Sequence, residues 1–486
     1  MSLFGRLRPH CQPSFHLRQF VGTRLSGAGV SEELEGADSA RAEPQSACVA
    51  ADPAPVADDN LIFSKCAWRL IPFMGLLYLV SFIDRTNAGL AAHTMNKDLG
   101  FSPTVFGFGA GIFFIGYAVF QVPANVILEK MGARRWVFYI MAAWGLLAAS
   151  NALVQNPISF YVVRFLLGVA EAGFFPGMLL YLNYWFPRGY LARFISYFMI
   201  ALPLSFIIGG PLSSLILGMG GMAGLHGWQW LFLLEGLPAF ALSFAVLRFL
   251  PDGPARAHWL TCGEKNAIAA RLAAEEPSGR PDLWHALRDL RLLALGFGTV
   301  AIYAAAFGIY LWLPQIVEAM GFSGPATGFV VALCYLAGIP AMVLVGRSSS
   351  RRGERIWHAA LPLLLSASSL AIASLTQSNA LVLVALALAL IGNFAGVGPI
   401  YSLPSSFLRG TAAAGGIGLI GTFGNVGAFL GPTFTGLLLQ GSGNYRSGFA
   451  MDAIGYALGG LIVIAVGRAL APRLVAPEPV TEIGHA

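Results

Sequence analysis

From Lys65 onward, apolar stretches of roughly 20 residues alternate with short polar breaks rich in Lys, Arg, Gly and Pro. Helix of that length rises about 30 Å, enough to cross the hydrocarbon core of a bilayer. The pattern predicts spans near residues 66–92, 104–128, 135–154, 158–184, 190–217, 228–250, 291–320, 326–346, 356–375, 380–402, 411–439 and 446–470, twelve in all. The predicted fold class is therefore an all-α polytopic membrane protein.

Composition agrees. The 486 residues are 56% hydrophobic and 11% charged, with a mean hydropathy of +0.68. A soluble domain carries about 25% charged residues. The 58 Gly and 28 Pro fit closely packed, locally interrupted membrane helices. Cys11, Cys48, Cys66, Cys262 and Cys334 are scattered, odd in number and without CxxC spacing, which excludes a secreted disulfide scaffold.

The formal charge of +6 matters less than where the charges fall. If both termini are cytoplasmic, 26 of the 30 Lys and Arg lie on the cytoplasmic side. Only Lys97 and Arg446 fall outside, and Arg85 and Arg164 lie within spans. That asymmetry satisfies the positive-inside rule, and an odd span count would scramble it. Basic charge so placed orients helices and calls for no nucleic acid.

The two halves repeat at a fixed offset of 221 residues. Gly132-Ala-Arg-Arg-Trp136 between spans 2 and 3 recurs as Gly353-Glu-Arg-Ile-Trp357 between spans 8 and 9. Phe186-Pro-Arg-Gly189 recurs as Phe407-Leu-Arg-Gly410, and Gly210-Pro211 as Gly431-Pro432. A six-span unit has been duplicated, an architecture that puts a transport site near the midplane where the halves meet. The organisation read from this is a disordered cytoplasmic tail over 1–64, six-helix halves over 65–250 and 291–470, a cytoplasmic linker over 251–290 and a short tail over 471–486. The basic, acid-free start also fits a transit peptide, but it lacks a convincing amphipathic period.

Charges inside spans are costly and usually functional. Span 1 carries Asp84 and Arg85; span 4 carries Arg164 and Glu171. Seven residues separate Arg164 from Glu171, so both occupy one helix face. From helical rise, Asp84, Arg85 and Arg164 are expected in one layer and Glu171 about 10 Å deeper. Two guanidiniums suit a carboxylate substrate, since Arg presents a planar fork that Lys lacks. An Asp and a Glu beside them can exchange a proton, because burial favours the neutral carboxyl and a neighbouring guanidinium the charged one. Substrate and carboxylates would compete for the same arginines. The alternative is a pair of ion pairs that merely lock helices together. Against it, the positions 221 residues on are Ala305, Ala306, Ala385 and Gly392.

Other in-span polar residues carry less. Glu235 and Asp452 read as makers of helix-to-helix or loop hydrogen bonds. Asn425 either reads substrate hydroxyls or bonds a backbone carbonyl. Tyr117, Gln121, Trp312 and Tyr401 are candidates to line the same cavity, although aromatic residues at helical spacing more often pack than bind.

At these motifs the chain resembles the major facilitator superfamily, and within it the anion:cation symporter family. The residues that carry the resemblance are "SFIDRTN", "GYAVFQVPANVILEKMGARRW", "RFLLGVAEAGFFPGMLLYLNYWFP", "GWQWLFLLEGLPA" and "GERIWHAALPLLL", in order over about residues 65–470. The resemblance implies proton- or sodium-driven uptake of organic anions such as sugar acids, tartrate, phthalate and hydroxyphenylacetate. It implies a bacterial inner-membrane location, a monomer, and no cofactor beyond the ion gradient. Asp84 and Glu171 match the family's proton-coupling carboxylates, and Arg85 and Arg164 its substrate-coupling arginines. The gating loops would comprise Glu129, Lys130, Gly132, Arg134 and Arg135, and Arg347, Arg351, Gly353 and Arg355. They depart from the superfamily pattern: Glu129-Lys130 stands for Asp-Arg, and Ser350 stands where an Asp is expected. That Asp normally braces helices through a charge–dipole contact, so the resemblance implies a weaker brace here.

The rival readings are a proton antiporter exporting a drug or metabolite, a transport-derived sensor, and an intramembrane enzyme. Two in-membrane arginines favour an anion over a cation. No signalling domain is fused to the spans. No HExxH or GxSxG motif supports an enzyme.

Overall fold

The computed structural model describes residues 59–274, 288–404, 407 and 410–474. Twelve helices among them are long and apolar enough to cross a membrane: Asp59–Leu99, Pro103–Leu128, Ala133–Leu153, Pro157–Asn183, Gly189–Leu217, Gly227–Phe249, Leu290–Ala319, Pro325–Arg352, Ile356–Leu375, Asn379–Ser402, Gly416–Ser442 and Arg446–Ala469. These are spans 1 to 12. The molecule's basic end holds the 2–3, 4–5 and 8–9 connections and the central linker.

Two predicted boundaries are corrected. Span 1 begins at Asp59, so residues 59–64, read as tail, are helix. At 41 residues the helix is about 60 Å long, longer than a bilayer is thick. Its first turns stand proud and pair with the linker, Asp59 with Arg271 at 2.7 Å and Lys65 with Glu264 at 2.7 Å. Span 8 runs on to Arg352, so Arg347 and Arg351, read as loop, lie on its last turns.

The described stretch of the linker, 251–274, carries a helix. Helix Cys262–Ala273 starts at a capping box in which the Thr261 hydroxyl accepts from the Glu264 N–H and the Glu264 carboxylate accepts from the Thr261 N–H. Before it, Trp259 stacks on Trp185 with ring centroids 5.6 Å apart, and the Tyr181 hydroxyl donates to the Pro251 carbonyl at 2.7 Å.

Prolines interrupt spans 4, 5 and 8. Pro176, Pro203 and Pro340 cannot donate to the carbonyls four residues back, and the helices break at 172–173, 200 and 337. The halves meet in backbone contact at the end opposite the basic one. A Cβ on Gly107 of span 2 would sit 2.4 Å from the Pro432 carbonyl of span 11, and one on Gly436 would sit 2.4 Å from the Pro103 carbonyl. Only paired glycines allow so close a crossing. Thr104 hydrogen-bonds Gln440 beside it.

Candidate functional site: a buried ion cluster on spans 1, 3 and 4

Spans 2 and 4 press together through Gly116 and Gly168, whose Cβ atoms would fall 2.3 Å from the Phe165 carbonyl and 1.9 Å from the Phe113 carbonyl. That crossing sets the Phe113 ring beside Arg164, whose guanidinium carbon lies 5.1 Å from the ring centroid. Arg85, arriving from span 1, lies 5.2 Å from the same ring and 5.1 Å from Tyr117. One aromatic surface thus serves both cations.

The four ions are deeply buried: Asp84 1%, Arg85 9%, Arg164 0% and Glu171 0% exposed. They do not sort into the layers expected from helical rise. Arg85 Nη2 donates to Glu171 Oε2 at 2.7 Å, and the Ser81 hydroxyl donates to the same oxygen at 3.3 Å. The correction has a geometric cause. Side chains on a helix lean toward its N-terminus, and spans 1 and 4 run in opposite directions. Arg85 therefore leans toward the midplane while Glu171 leans to meet it. Arg164, on the same helix as Glu171, leans away.

Asp84 turns to span 3, where the Trp144 indole donates to its Oδ2 at 2.7 Å; Oδ1 has no hydrogen-bond partner among the described residues. Arg164 rests on the Phe113 ring. Its Nε, Nη1 and Nη2 have no hydrogen-bond partner among the described residues. The helix of span 4 breaks directly after Glu171, at Ala172–Gly173.

The remaining candidates divide. The Asn425 amide donates to Gln121 Oε1 at 3.3 Å, joining span 11 to span 2 across the seam between the halves, rather than to a backbone carbonyl. Tyr401 shares a 2.6 Å hydrogen bond with the Tyr303 hydroxyl. Trp312, expected in the cavity, is 1% exposed, packs edge-on against Phe106 and donates to the Pro432 carbonyl at 3.2 Å. It is a seam residue. Glu235 accepts from Ser213 at 2.5 Å, the helix-to-helix bond expected of it. Asp452, expected to be bonded likewise, has Oδ1 buried without a partner among the described residues. The equivalents of the ion cluster in the second half are packed: Ala305, Ala306 and Ala385 are at most 4% exposed.

At the basic end, Gly132 and Gly353 are repeat-mates and both take positive φ, 83° and 64°. The expected weak brace is replaced by residues the sequence did not single out. Asp252, just past span 6, accepts from the Arg134 N–H at the start of span 3 at 3.2 Å and pairs with Arg256 at 2.8 Å. Glu354 does the same for span 9, accepting from Trp357 N–H at 2.7 Å and His358 N–H at 3.1 Å. Burial pushes the Glu354 carboxyl up, but these donors outweigh it and hold it below the ordinary value of 4.5. Arg355 donates to the Ser402 carbonyl at 2.9 Å. Lys130, Arg134, Arg135 and Arg351 are solvent-facing or nearly so; the Glu129 side chain lies outside the described residues.

Residues 74–432 match the family model described as Major Facilitator Superfamily. An Agrobacterium vitis protein named "Putative tartrate transporter" is 44% identical over 408 residues, covering 83% of this chain and 89% of that one. A quinolone resistance transporter of Acinetobacter baumannii is 38% identical, covering 80% and 90%. The inner membrane transport protein RhmT of Escherichia coli is 38% identical, covering 77% and 87%. Among solved structures, a bacterial homolog of the human lysosomal transporter Spinster, inward-facing and unoccupied, superposes with a TM-score of 0.70 at 15% identity, covering 86% and 99%. The chain is a multi-pass membrane transporter, not an enzyme, and belongs to the Major Facilitator Superfamily.

Proposed function

We propose that the protein couples protons to the uptake of a small organic carboxylate by alternating access, through the Arg85–Glu171 and Arg164 cluster. The observation that carries this reading is Arg164: a wholly buried guanidinium whose three nitrogens have no partner among the described residues. A buried guanidinium whose donors are unsatisfied is costly, and an arriving carboxylate supplies acceptors with matching bidentate geometry.

Charge balance gives the coupling. Asp84 and Glu171 against Arg85 and Arg164 sum to zero when all are ionised. Adding an anion unbalances the site unless a carboxylate takes a proton. Protonation of Glu171 weakens its hold on Arg85, which then joins Arg164 on the substrate. Release runs in reverse: the proton leaves Glu171, the pair re-forms, and the anion loses one of its two cations. The glycine seam closes the end opposite the basic one, so exchange in this state proceeds through the basic end. The charge asymmetry of the loops supports a cytoplasmic place for that end, in a bacterial inner membrane. The relative named for tartrate points to a hydroxy-dicarboxylate, and the protein acts as a monomer with no cofactor beyond the proton gradient.

The test is reconstitution with a pH-sensitive dye inside the vesicles and a panel of tartrate, sugar acids, phthalate and other aromatic acids outside. A substrate that acidifies the lumen as it enters supports symport. Entry with no proton movement overturns it. Export is the second reading, favoured by the quinolone resistance relative. Cells that gain quinolone tolerance, with no carboxylate uptake in vesicles, would establish export instead.

A further inference from the structure

Spans 1 and 5 run side by side at the basic end, and between them lies a groove of about 590 Å³. Its floor is apolar: Ala67, Ile71 and Phe194 are at most 8% exposed. Its walls change character along the helix axes. Nearest the basic end stand Asn60, Ser64, Tyr190 and Arg193, and one to two turns deeper stand Trp68, Pro72 and Tyr197. The Tyr190 hydroxyl donates to Asn60 Oδ1 at 3.0 Å and ties the two helices together at the polar end.

The groove opens to the side of the bundle, where Trp68 is 79% exposed and Tyr197 45%. Tyr197 shares its face of span 5 with Leu204 and Ile208, both exposed, a stripe of large apolar side chains of the kind that meets acyl chains. Span 5 meets the second half on a different face, where a Cβ on Gly210 would fall 2.7 Å from the Gly328 carbonyl of span 8. The groove is therefore separate from the seam and from the ion cluster. Arg193 supplies its charge. The Arg193 side chain is exposed, its Nε donates to the Tyr197 hydroxyl at 2.9 Å, and its guanidinium carbon lies 5.6 Å from the Tyr197 ring and 6.0 Å from the Phe194 ring. These contacts lay the guanidinium on the groove wall. No acid lines the groove. Asp59 of span 1 and Glu264 of the linker are paired with Arg271 and Lys65. Arg193 has no carboxylate within 4.0 Å among the described residues.

We propose that this groove binds one phospholipid of net negative charge from the leaflet at the basic end, with its phosphate on Arg193, its headgroup beside Asn60 and Ser64, and a chain over Trp68 and Tyr197. A single free cation at the polar end of an apolar slot is the complement of such a lipid, charged at one end and apolar along the rest. Trp68 and Tyr197, side by side on neighbouring helices, mark the depth at which headgroups give way to hydrocarbon. A zwitterionic lipid fits less well, because its ammonium would stand near the Arg193 guanidinium with no carboxylate in the groove to receive it. The site requires neither the proposed substrate nor the proton pathway.

The experiment is quenching of Trp68 fluorescence in phosphatidylcholine vesicles holding the full-length chain. The vesicles are titrated with phosphatidylglycerol or, separately, phosphatidylethanolamine, each carrying brominated acyl chains. The Trp68 signal is the difference between the unmodified protein and Trp68→Phe. Phosphatidylglycerol is expected to reach half-quenching at about tenfold lower mole fraction, the factor that one charge-assisted contact supplies. Arg193→Gln should remove this preference, and Arg193→Lys, which keeps a point charge for the phosphate, should retain most of it. Arg468→Gln, at another exposed arginine of the basic end, should leave it intact. The comparison of the two lipids on the unmodified protein stands whether or not a variant folds. Equal half-quenching by the two lipids, or a preference that survives Arg193→Gln, would overturn the proposal. So would a preference that Arg468→Gln weakens as much as Arg193→Gln does, which would assign it to general attraction toward a basic surface.

Discussion

Arg85 Nη2 stands 2.7 Å from Glu171 Oε2, while Arg164, two turns earlier on the Glu171 helix, has three nitrogens without a partner among the described residues. One arginine is engaged and one is waiting. Such asymmetry gives an order to binding: the anion meets Arg164 first, and Arg85 follows when its carboxylate lets go. Two equally free arginines would bind the anion with no link to protons. Two equally paired ones would not bind it.

Arg164→Lys keeps the charge and loses the planar fork. A hydrogen bond to a charged group is worth about 1.5–3 kcal/mol, so substrate affinity should fall by about 10- to 100-fold or more. Equilibrium binding of labelled substrate measures it. An unchanged dissociation constant would remove Arg164 from the site.

Glu171→Gln removes the titrating oxygen but keeps a group that can accept from Arg85. Exchange of labelled for unlabelled substrate across the membrane should persist, while accumulation against a gradient should disappear. Concentrative uptake at the normal level would place the coupled proton elsewhere, with Asp84 the next group to test.

Much of this was legible in the sequence because membrane physics writes in large letters. Twelve apolar runs, a one-sided distribution of Lys and Arg, and three motif pairs at one offset needed no side-chain geometry. The four in-span ions were also visible, since any charge there stands out. What periodicity could not reveal was who pairs with whom. Arg164 and Glu171 share a face, yet the lean of side chains along antiparallel helices hands Glu171 to Arg85. Ser81 could have been found, four residues before Arg85 on the same face. Trp144 had no signal: an indole in an apolar span reads as packing until a carboxylate is seen beneath it. Asp252 was invisible for another reason. It braces a helix 118 residues away, and no local pattern marks such a partner.

Asp252→Ala tests that brace. An acid at a helix start contributes about 0.3–1 kcal/mol, so the fold should survive. The expected effect is kinetic: slower transport and greater labelling of a cysteine introduced beside Arg134. Wild-type rates and labelling would mean the contact is incidental.

The linker clamp carries its own pH dependence. Glu264 accepts from Lys65 at 2.7 Å and 2.9 Å and from the Thr261 N–H at 2.8 Å. Burial pushes this carboxyl up, but the Lys65 ammonium and the Thr261 contacts outweigh it, and its pKa in the folded protein lies below the ordinary 4.5. A carboxyl with a lowered folded pKa contributes stability in full above its unfolded value and loses it as the pH falls through the folded one. The clamp between span 1 and helix Cys262–Ala273 should therefore be tight at neutral pH and loosen only below about 4.5. Hydrogen exchange over 262–273 measures this, with protection constant from pH 8 to 5 after correction for intrinsic rates and falling below. Glu264→Gln should show reduced protection already at neutral pH. A step near pH 6.5 instead would assign the clamp to a histidine, and the Lys65–Glu264 pair would not be what holds the linker down.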